Sequence, residues 1–125
     1  MARILVAEDD AAVQSFVSRA LAHRGHQVTA VGDGLQALKA LGGQAFDLLI
    51  SDIVMPGLDG IELALKVRDD YPELPVLLMT GYSAERQRAH KQDELICEVV
   101  TKPFTLQQIC NAAERVVAEH DGSCH

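Results

Sequence analysis

The segment Phe46-Asp47-Leu48-Leu49-Ile50-Ser51-Asp52 contains an unbroken apolar run, Leu48 to Ile50, that stops at a serine and an aspartate. A short continuous apolar run is typical of a strand that is covered on both faces, as strands of parallel sheets are. We therefore expect a buried strand over residues 46–51, with Asp52 directly after its carboxyl end. This arrangement predicts a sheet between two layers of helices, with an acidic group at one edge.

The alternation of a short apolar run with a helical pattern extends in both directions from this segment. Further strands are predicted at residues 4–7, 27–31, 75–79 and 98–101. Each strand is followed by a helix, and in four of the five the apolar positions recur every three or four residues. These positions are Val13, Phe16, Val17, Ala20 and Leu21; Leu35, Leu38 and Leu41; Ile61 and Leu65; and Leu106, Ile109, Cys110, Ala113, Val116 and Val117. Residues 83–92 are predicted as a polar fourth helix. Five strand–helix repeats predict parallel strands, right-handed crossovers and a three-layer α/β sandwich.

Polar residues are expected to cap the helix starts. The candidates are two single N-caps and two capping boxes: Asp10, Asp59, Asp33 with Gln36, and Thr105 with Gln108. Gly25 follows the first helix, where a left-handed cap residue is expected.

Composition limits the classes of function. The 125 residues fit one domain, 48% of them are hydrophobic, and the formal net charge is −7. An acidic surface repels phosphate backbones and anionic lipids, so we expect neither nucleic-acid nor membrane binding. Residues 1–7 are too short and too poorly flanked for a signal peptide, and we expect a cytoplasmic protein. Its three cysteines then remain reduced, with Cys97 and Cys110 as small buried residues.

Polar side chains follow four of the five predicted strands. Glu8 and Asp9 follow the first, Asp52 the third, Thr80 the fourth and Lys102 the fifth. Because the carboxyl ends of parallel strands meet at one edge, these groups should lie together. Clustered carboxylates repel one another unless a cation lies among them, and hard oxygen ligands suit Mg²⁺ or Mn²⁺. A carboxylate nucleophile beside a metal ion, a hydroxyl and an ammonium predicts formation of an acyl phosphate.

Four motifs carry a family resemblance that covers essentially the whole chain. They are residues 4–10 (Ile-Leu-Val-Ala-Glu-Asp-Asp), 49–60 (Leu-Ile-Ser-Asp-Ile-Val-Met-Pro-Gly-Leu-Asp-Gly), 78–82 (Leu-Met-Thr-Gly-Tyr) and 101–104 (Thr-Lys-Pro-Phe). In this order and spacing they resemble the response-regulator receiver family of two-component signalling, in its stand-alone type. The resemblance implies a CheY-like, flavodoxin-like fold whose five parallel strands have the order 2-1-3-4-5. The receiver domain would span residues 1–120, and residues 121–125 would form a frayed tail.

The resemblance also implies roles for the strand-end residues. Asp52 would be the phosphoacceptor, and Glu8, Asp9, Asp52 and the backbone carbonyl of Val54 would hold Mg²⁺, which Mn²⁺ can replace. Thr80 would be the switch hydroxyl and Lys102 the partner of the phosphoryl group. The Lys102-Pro103 bond is a candidate cis peptide that would direct the lysine from a tight turn.

The switch of this chain departs from the common family pattern. Many receivers carry an aromatic residue three positions before the lysine, where this chain has Val99. Tyr82 is a candidate replacement in the switch. Val54 and Tyr82 should flank the mouth of the site, where apolar bulk would limit access of the hydrolytic water.

By the same resemblance, a histidine kinase or a histidine phosphotransfer protein would donate the phosphoryl group. Output would come through protein contact at the face of the fourth helix, the fifth strand and the fifth helix, without a DNA-binding domain. The chain would catalyse only its own phosphorylation and a slow autodephosphorylation, as a monomer or a phosphorylation-dependent weak dimer. The alternative is a receiver within a hybrid histidine kinase, or a relay intermediate.

Three other classes of protein fit less well. A flavodoxin-type cofactor protein needs a phosphate-cradling loop after the first strand, where the acidic residues 8–10 would repel phosphate. A phosphatase of the acyl-phosphate kind usually needs a second aspartate two places after the nucleophile, and Val54 stands there. A degenerate receiver used only for docking would not need the complete set of Asp9, Asp52, Thr80 and Lys102.

Overall fold

The computed structural model describes residues 2–81 and 98–120. Its strands are β1 (Arg3–Ala7), β2 (Gln27–Val31), β3 (Leu48–Asp52), β4 (Val76–Thr80) and β5 (Glu98–Thr101). Its helices are α1 (Ala11–His23), α2 (Gly34–Gly43), α3 (Gly60–Asp70) and a helix at Leu106–His120 that we call the C-terminal helix. The predicted polar helix at 83–92, Tyr82, Cys97 and the predicted tail at 121–125 lie outside the described residues.

All strand pairs are parallel, and the order across the sheet is β2-β1-β3-β4-β5. The predicted fold class is therefore confirmed. Strand β3 lies at the centre, with Ile50 paired to Val6 on one side and to Leu77 on the other. Both β3 and β4 are one residue longer at the carboxyl end than predicted, so Asp52 and Thr80 are the last residues of their strands.

The sheet has one hydrophobic cluster on each face. Leu48 and Ile50 of β3 belong to the cluster that packs against α1 and the C-terminal helix. Leu49, between them, belongs to the cluster that packs against α2 and α3. All five residues of β3 and of β4 are buried, because helices cover both faces. Burial of each Leu or Ile side chain contributes about 1.5–3 kcal/mol, so both faces hold the strand ends in place.

Three of the four predicted caps are present as predicted. Asp10 accepts from the backbone N–H groups of Ala12 and Val13. Reciprocal capping boxes are formed by Asp59 with Glu62 and by Thr105 with Gln108. Gly25 has φ 90°, in the left-handed region as expected.

Only one of the two hydrogen bonds of the capping box predicted for Asp33 and Gln36 is formed. Asp33 accepts from the N–H of Gln36 at 2.8 Å. The Gln36 side-chain carbonyl, however, accepts from the N–H of Gly32, one residue before the N-cap. The glutamine therefore closes the turn that leads into α2 and not the cap itself.

Four of the predicted core positions are wrong, because their side chains are exposed: Phe16, Leu35, Leu65 and Leu106. Phe16 is 40% exposed and packs on Phe104 at the edge of the core, with ring centroids 6.2 Å apart. Leu35 is 65% exposed, because α2 buries the stripe that contains Gly34 and Ala37. A helix turns 100° per residue, so Leu35 points away from that stripe. Cys110 is buried and free, as predicted.

None of the described helices combines the length and the apolar character that a bilayer crossing requires.

Candidate functional site

Three carboxylates converge at the carboxyl edge of the sheet. Asp52 ends the central strand β3, while Glu8 and Asp9 follow β1, the neighbour of β3. One carboxylate oxygen of each residue lies within 4.8 Å of the other two. Glu8 is fully buried, Asp52 is 8% exposed, and Asp9 faces solvent. The strand order thus produces the acidic cluster that the sequence predicted.

Lys102 reaches this cluster from the end of β5. Its Nζ lies 2.9 Å from Glu8 Oε1 and 3.2 Å from Asp52 Oδ2. The backbone N–H of Lys102 donates to the carbonyl of Thr80 at 2.7 Å, which ties the lysine to the end of β4. The Lys102-Pro103 peptide bond is cis. The ammonium group therefore bridges the carboxylates of two different strand ends.

The buried carboxylate of Glu8 titrates far from its ordinary range. Burial, together with the nearby charge of Asp52, raises the pKa of Glu8 to about 7, although hydrogen bonds from Lys102 and from the N–H of Asp10 lower it. Burial lowers the pKa of Lys102, but the hydrogen bond to Glu8 and the charges of Asp52 and Glu8 raise it overall. One ammonium group is thus insufficient to balance the buried acidic groups.

The donor set fits a hard divalent cation. Mg²⁺ prefers carboxylate, carbonyl and water oxygens, and the three carboxylates offer such ligands at one point. Burial is the main cause of the raised pKa of Glu8, and a cation at this point would favour the ionised carboxylate. Val54 is 48% exposed and lines the same cavity, of about 570 Å³, as the acidic residues. Its position is consistent with the predicted carbonyl ligand.

The remaining predicted site residues in the described part of the chain are Thr80 and Val99. Thr80 is 1% exposed at the end of β4, and its neighbour Gly81 lines the cavity together with Pro103. Val99 lies in β5 and packs against the core cluster on the α2 and α3 face. Lys102 therefore contacts Asp52 and Thr80 ends the strand next to that of Asp52, whereas Val99 lies within β5 and packs against the core.

Sequence reasoning missed two residues that hold the acidic loops in place. The Gln14 side-chain amide donates to the backbone carbonyls of Glu8 and Val31, at 3.1 and 2.9 Å, and so ties the end of β1 to the end of β2. Gly60 packs so closely that an added Cβ would lie 2.3 Å from the carbonyl oxygen of Asp52. Its N–H also donates to the carbonyl of Ile53 at 2.8 Å. The helical period could not reveal Gln14, and the sequence predicted Asp59 as a helix cap without showing how closely Gly60 packs.

The fold and this site define a class of signalling domain, and comparison with known families agrees. Residues 4–114 match the model of the response regulator receiver domain. The chain therefore belongs to the receiver domain family of two-component response regulators.

Individual relatives refine this assignment. The response regulator receiver protein CpdR of Brucella abortus is 37% identical over 117 residues, which cover 94% of this chain and 98% of CpdR. The response regulator protein FleR of Pseudomonas aeruginosa is 38% identical over 114 residues, which cover 91% of this chain but 24% of FleR. The chain is thus similar both to a relative of its own length and to one segment of a longer relative.

Solved structures show the same fold. A response regulator receiver domain protein of Clostridium thermocellum has a TM-score of 0.88 at 22% identity, with 97% of this chain and 98% of that chain covered. The response regulator protein TrrA of Thermotoga maritima, in complex with Mg²⁺-BeF, has a TM-score of 0.84 at 28% identity, with 93% and 99% covered.

Proposed function

We propose that the chain is a phosphorelay receiver in which Asp52 accepts a phosphoryl group. One observation carries the proposal: Asp52 is a nearly buried carboxylate with the Lys102 ammonium 3.2 Å from its Oδ2 and two further carboxylates beside it. An aspartate that only closed a turn would need neither the lysine nor the acidic neighbours. Membership of the receiver family supports the same role.

The transfer requires little covalent chemistry from the protein. An oxygen of Asp52 attacks the phosphorus of a phosphohistidine, an O–P bond forms and the N–P bond breaks. The histidine nitrogen keeps the bonding electron pair. Phosphoryl transfer depends mainly on position and on neutralised charge, so Lys102 serves by attracting one phosphoryl oxygen while Asp52 attacks. Thr80, with the amide of Gly81, is proposed to receive another oxygen.

Glu8, Asp9, Asp52 and the carbonyl of Val54 are the proposed ligands of Mg²⁺, for which Mn²⁺ can substitute. When bound, the ion supplies positive charge that favours both the carboxylates and the incoming phosphoryl oxygens. The complex of TrrA with Mg²⁺-BeF supports this choice, since TrrA belongs to the same family and has the same fold.

The signal is proposed to leave the domain by protein contact. Movement of Thr80 toward the phosphoryl group would change the face that includes β5 and the C-terminal helix, as a two-state population shift. Val99 replaces the usual aromatic residue, so we propose a readout that depends on Thr80 and on Tyr82. The donor is a histidine kinase or a histidine phosphotransfer protein in the cytoplasm. Beyond its own phosphorylation and slow dephosphorylation the domain catalyses nothing, and it is a monomer or a weak phosphorylation-dependent dimer.

One experiment tests the acceptor. The protein is incubated with acetyl phosphate and Mg²⁺, and intact mass is measured for the wild type, Asp52→Asn and Asp69→Asn. Asp69 is an exposed carboxylate of α3 and serves as the matched control. We expect one phosphoryl adduct on the wild type and on Asp69→Asn and none on Asp52→Asn. An adduct on Asp52→Asn, or none on the wild type, refutes the assignment. In a separate experiment, fluoroberyllate is added and the mass in solution is measured by light scattering, which tests whether phosphorylation drives dimerisation.

A second candidate is favoured by the match to FleR, which covers 24% of that protein. In this case the chain is the receiver segment of a longer protein; within a hybrid histidine kinase it would pass the phosphoryl group on. Transfer from phosphorylated Asp52 to a histidine phosphotransfer protein within seconds, with loss of label from the receiver, would favour this relay role over the stand-alone switch.

A further inference from the structure

A second concave site lies at the opposite edge of the sheet from Asp52. It is a cavity of about 560 Å³ between the ends of α2 and α3 and the loops that lead into β3 and β4. We call it the helix-end cavity, and its lining includes Leu41, Phe46, Asp70, Tyr71, Glu73 and Leu74. The strands β3 and β4 separate it from the acidic site by five residues, or about 15 Å.

The helix-end cavity is electronegative. Both α2 and α3 end beside it, and the carboxyl end of a helix carries about half a negative charge. The backbone N–H of the C-cap residue Gln44 donates to no carbonyl of α2, and the last turn of α2 contains no basic residue. In α1 and α3, by contrast, the C-cap N–H donates to a helix carbonyl and the last turn contains a basic residue. Asp70 and Glu73 add two carboxylates, and among the residues that the structure describes no lysine or arginine lines the cavity.

These carboxylates are uncompensated. Within residues 2–81 and 98–120, neither Asp70 nor Glu73 has an ion pair or a side-chain hydrogen bond. The nearby Arg68 approaches Asp69 instead, at 3.8 Å. The site therefore offers free acceptors and no donor of its own.

The walls of the cavity are apolar and partly aromatic. Leu41 is buried at its base, and Phe46, Tyr71 and Leu74 are half-buried around it. Aromatic faces attract cations, and apolar walls accept a hydrocarbon stem. Acceptors at the rim with aromatic and aliphatic walls beneath them match the side chain of arginine, which has a planar cation on an apolar stem.

We propose that the helix-end cavity binds an arginine side chain of a partner protein, presented between apolar residues. Complementarity of charge selects the cation: the cavity has two carboxylates that are unpaired within residues 2–81 and 98–120 and the uncompensated carboxyl end of α2, and the whole chain has a net charge of −7. The guanidinium group has five donors for the carboxylates and helix carbonyls, and the flanking apolar residues cover Leu41 and Leu74. Because the cavity lies at the other edge of the sheet, this partner binds without blocking Asp52.

The test uses the whole chain labelled with ¹⁵N and the acetylated, amidated tripeptide Leu-Arg-Leu as the probe. Amide shifts are followed by NMR during titration, and the same tripeptide with citrulline in place of arginine keeps the shape without the charge. We expect saturable shifts at residues 41–46 and 70–74, and binding at least about tenfold weaker for the citrulline peptide.

Variants then locate the contact. Asp70→Asn and Glu73→Gln should each raise the dissociation constant about threefold, as expected for partly exposed ion pairs. Asp69→Asn removes a carboxylate from the same helix end outside the cavity and should leave the constant nearly unchanged. Equal binding of the two peptides, shifts centred on residues 8–10 and 52, or equal effects of Asp69→Asn and Asp70→Asn would each overturn the proposal. The two single variants at the cavity keep the test valid if one of them is unstable.

Discussion

Substitution of Gly60 by alanine should damage both stability and phosphorylation. A Cβ at this position would lie 2.3 Å from the carbonyl oxygen of Asp52 and 2.9 Å from the Cα of Ile53, whereas ordinary contacts begin at 3.4 Å. Both neighbours are backbone atoms, so no side-chain rotation can relieve the overlap. The backbone of Asp52 must therefore retreat by about 1 Å, which is the scale on which catalytic geometry fails.

The size of the effect follows from two opposing contributions. Overpacking of this kind costs about 3 kcal/mol. Alanine favours a helix over glycine by about 1 kcal/mol, so the unfolding free energy should fall by about 2 kcal/mol. With a urea dependence of about 2 kcal/mol per molar, the midpoint should fall by about 1 M. The rate of phosphorylation by acetyl phosphate should fall about 100-fold, because Asp52 leaves its position beside Lys102.

The matched control is Gly42→Ala in the last turn of α2. A Cβ there meets nothing within 4 Å, so this variant should gain about 0.5–1 kcal/mol and react at the wild-type rate. Urea unfolding and the initial rate of adduct formation, measured on both variants, provide the test. A Gly60→Ala protein as stable as the wild type would refute the packing argument. A destabilised variant that is phosphorylated at the wild-type rate would refute the link to Asp52.

Three further predictions use other parts of the molecule. Because the pKa of Glu8 is raised to about 7, Mg²⁺ must displace a proton below that pH, and its affinity by calorimetry should fall as pH drops through 7 and level off above it. Val54→Asn should shorten the lifetime of the acyl phosphate, because Val54 lines the mouth of the site; an unchanged decay of the radiolabelled adduct would contradict this. Thr105→Ala should cost about 1 kcal/mol in urea unfolding, with much of the loss restored in Thr105→Ser, because the hydroxyl accepts from the N–H of Gln108.

The sequence predicted the strands well because apolar runs report burial directly, whereas the order of the strands was implied by the family resemblance. The run Leu48 to Ile50 is typical of a strand covered on both faces, and its observed neighbours β1 and β4 are those of the order that the resemblance implied. The residues of a helix face were predicted less well. Periodicity locates the apolar stripe of a helix but does not show how closely the neighbouring segment approaches it. The segment at Leu58 lies so close to α2 that a Cβ added at Gly34 would be 2.7 Å from the carbonyl oxygen of Leu58.

The members of the candidate site could be predicted from the sequence, but the burial of each acidic side chain could not. Strand-end positions brought Glu8, Asp52 and Lys102 together, as the parallel topology requires. The sequence could not show that Glu8 would be fully buried while Asp9 faces solvent, since both follow the same strand. Nor could it show the role of Gln14, whose side-chain amide donates to backbone carbonyls at the ends of two strands.

The burial of Glu8 explains how metal binding and phosphorylation should depend on each other. With Glu8, Asp9 and Asp52 ionised and Lys102 protonated, the site carries two excess negative charges, and Glu8 reduces this excess by holding a proton up to about pH 7. A divalent cation would balance the same excess, so that an incoming phosphoryl group no longer meets a net negative field. The proton and the cation thus compete for one site. A phosphorylation rate that depends on Mg²⁺ and is independent of pH below 7 would therefore be inconsistent with the geometry of Glu8 and Lys102.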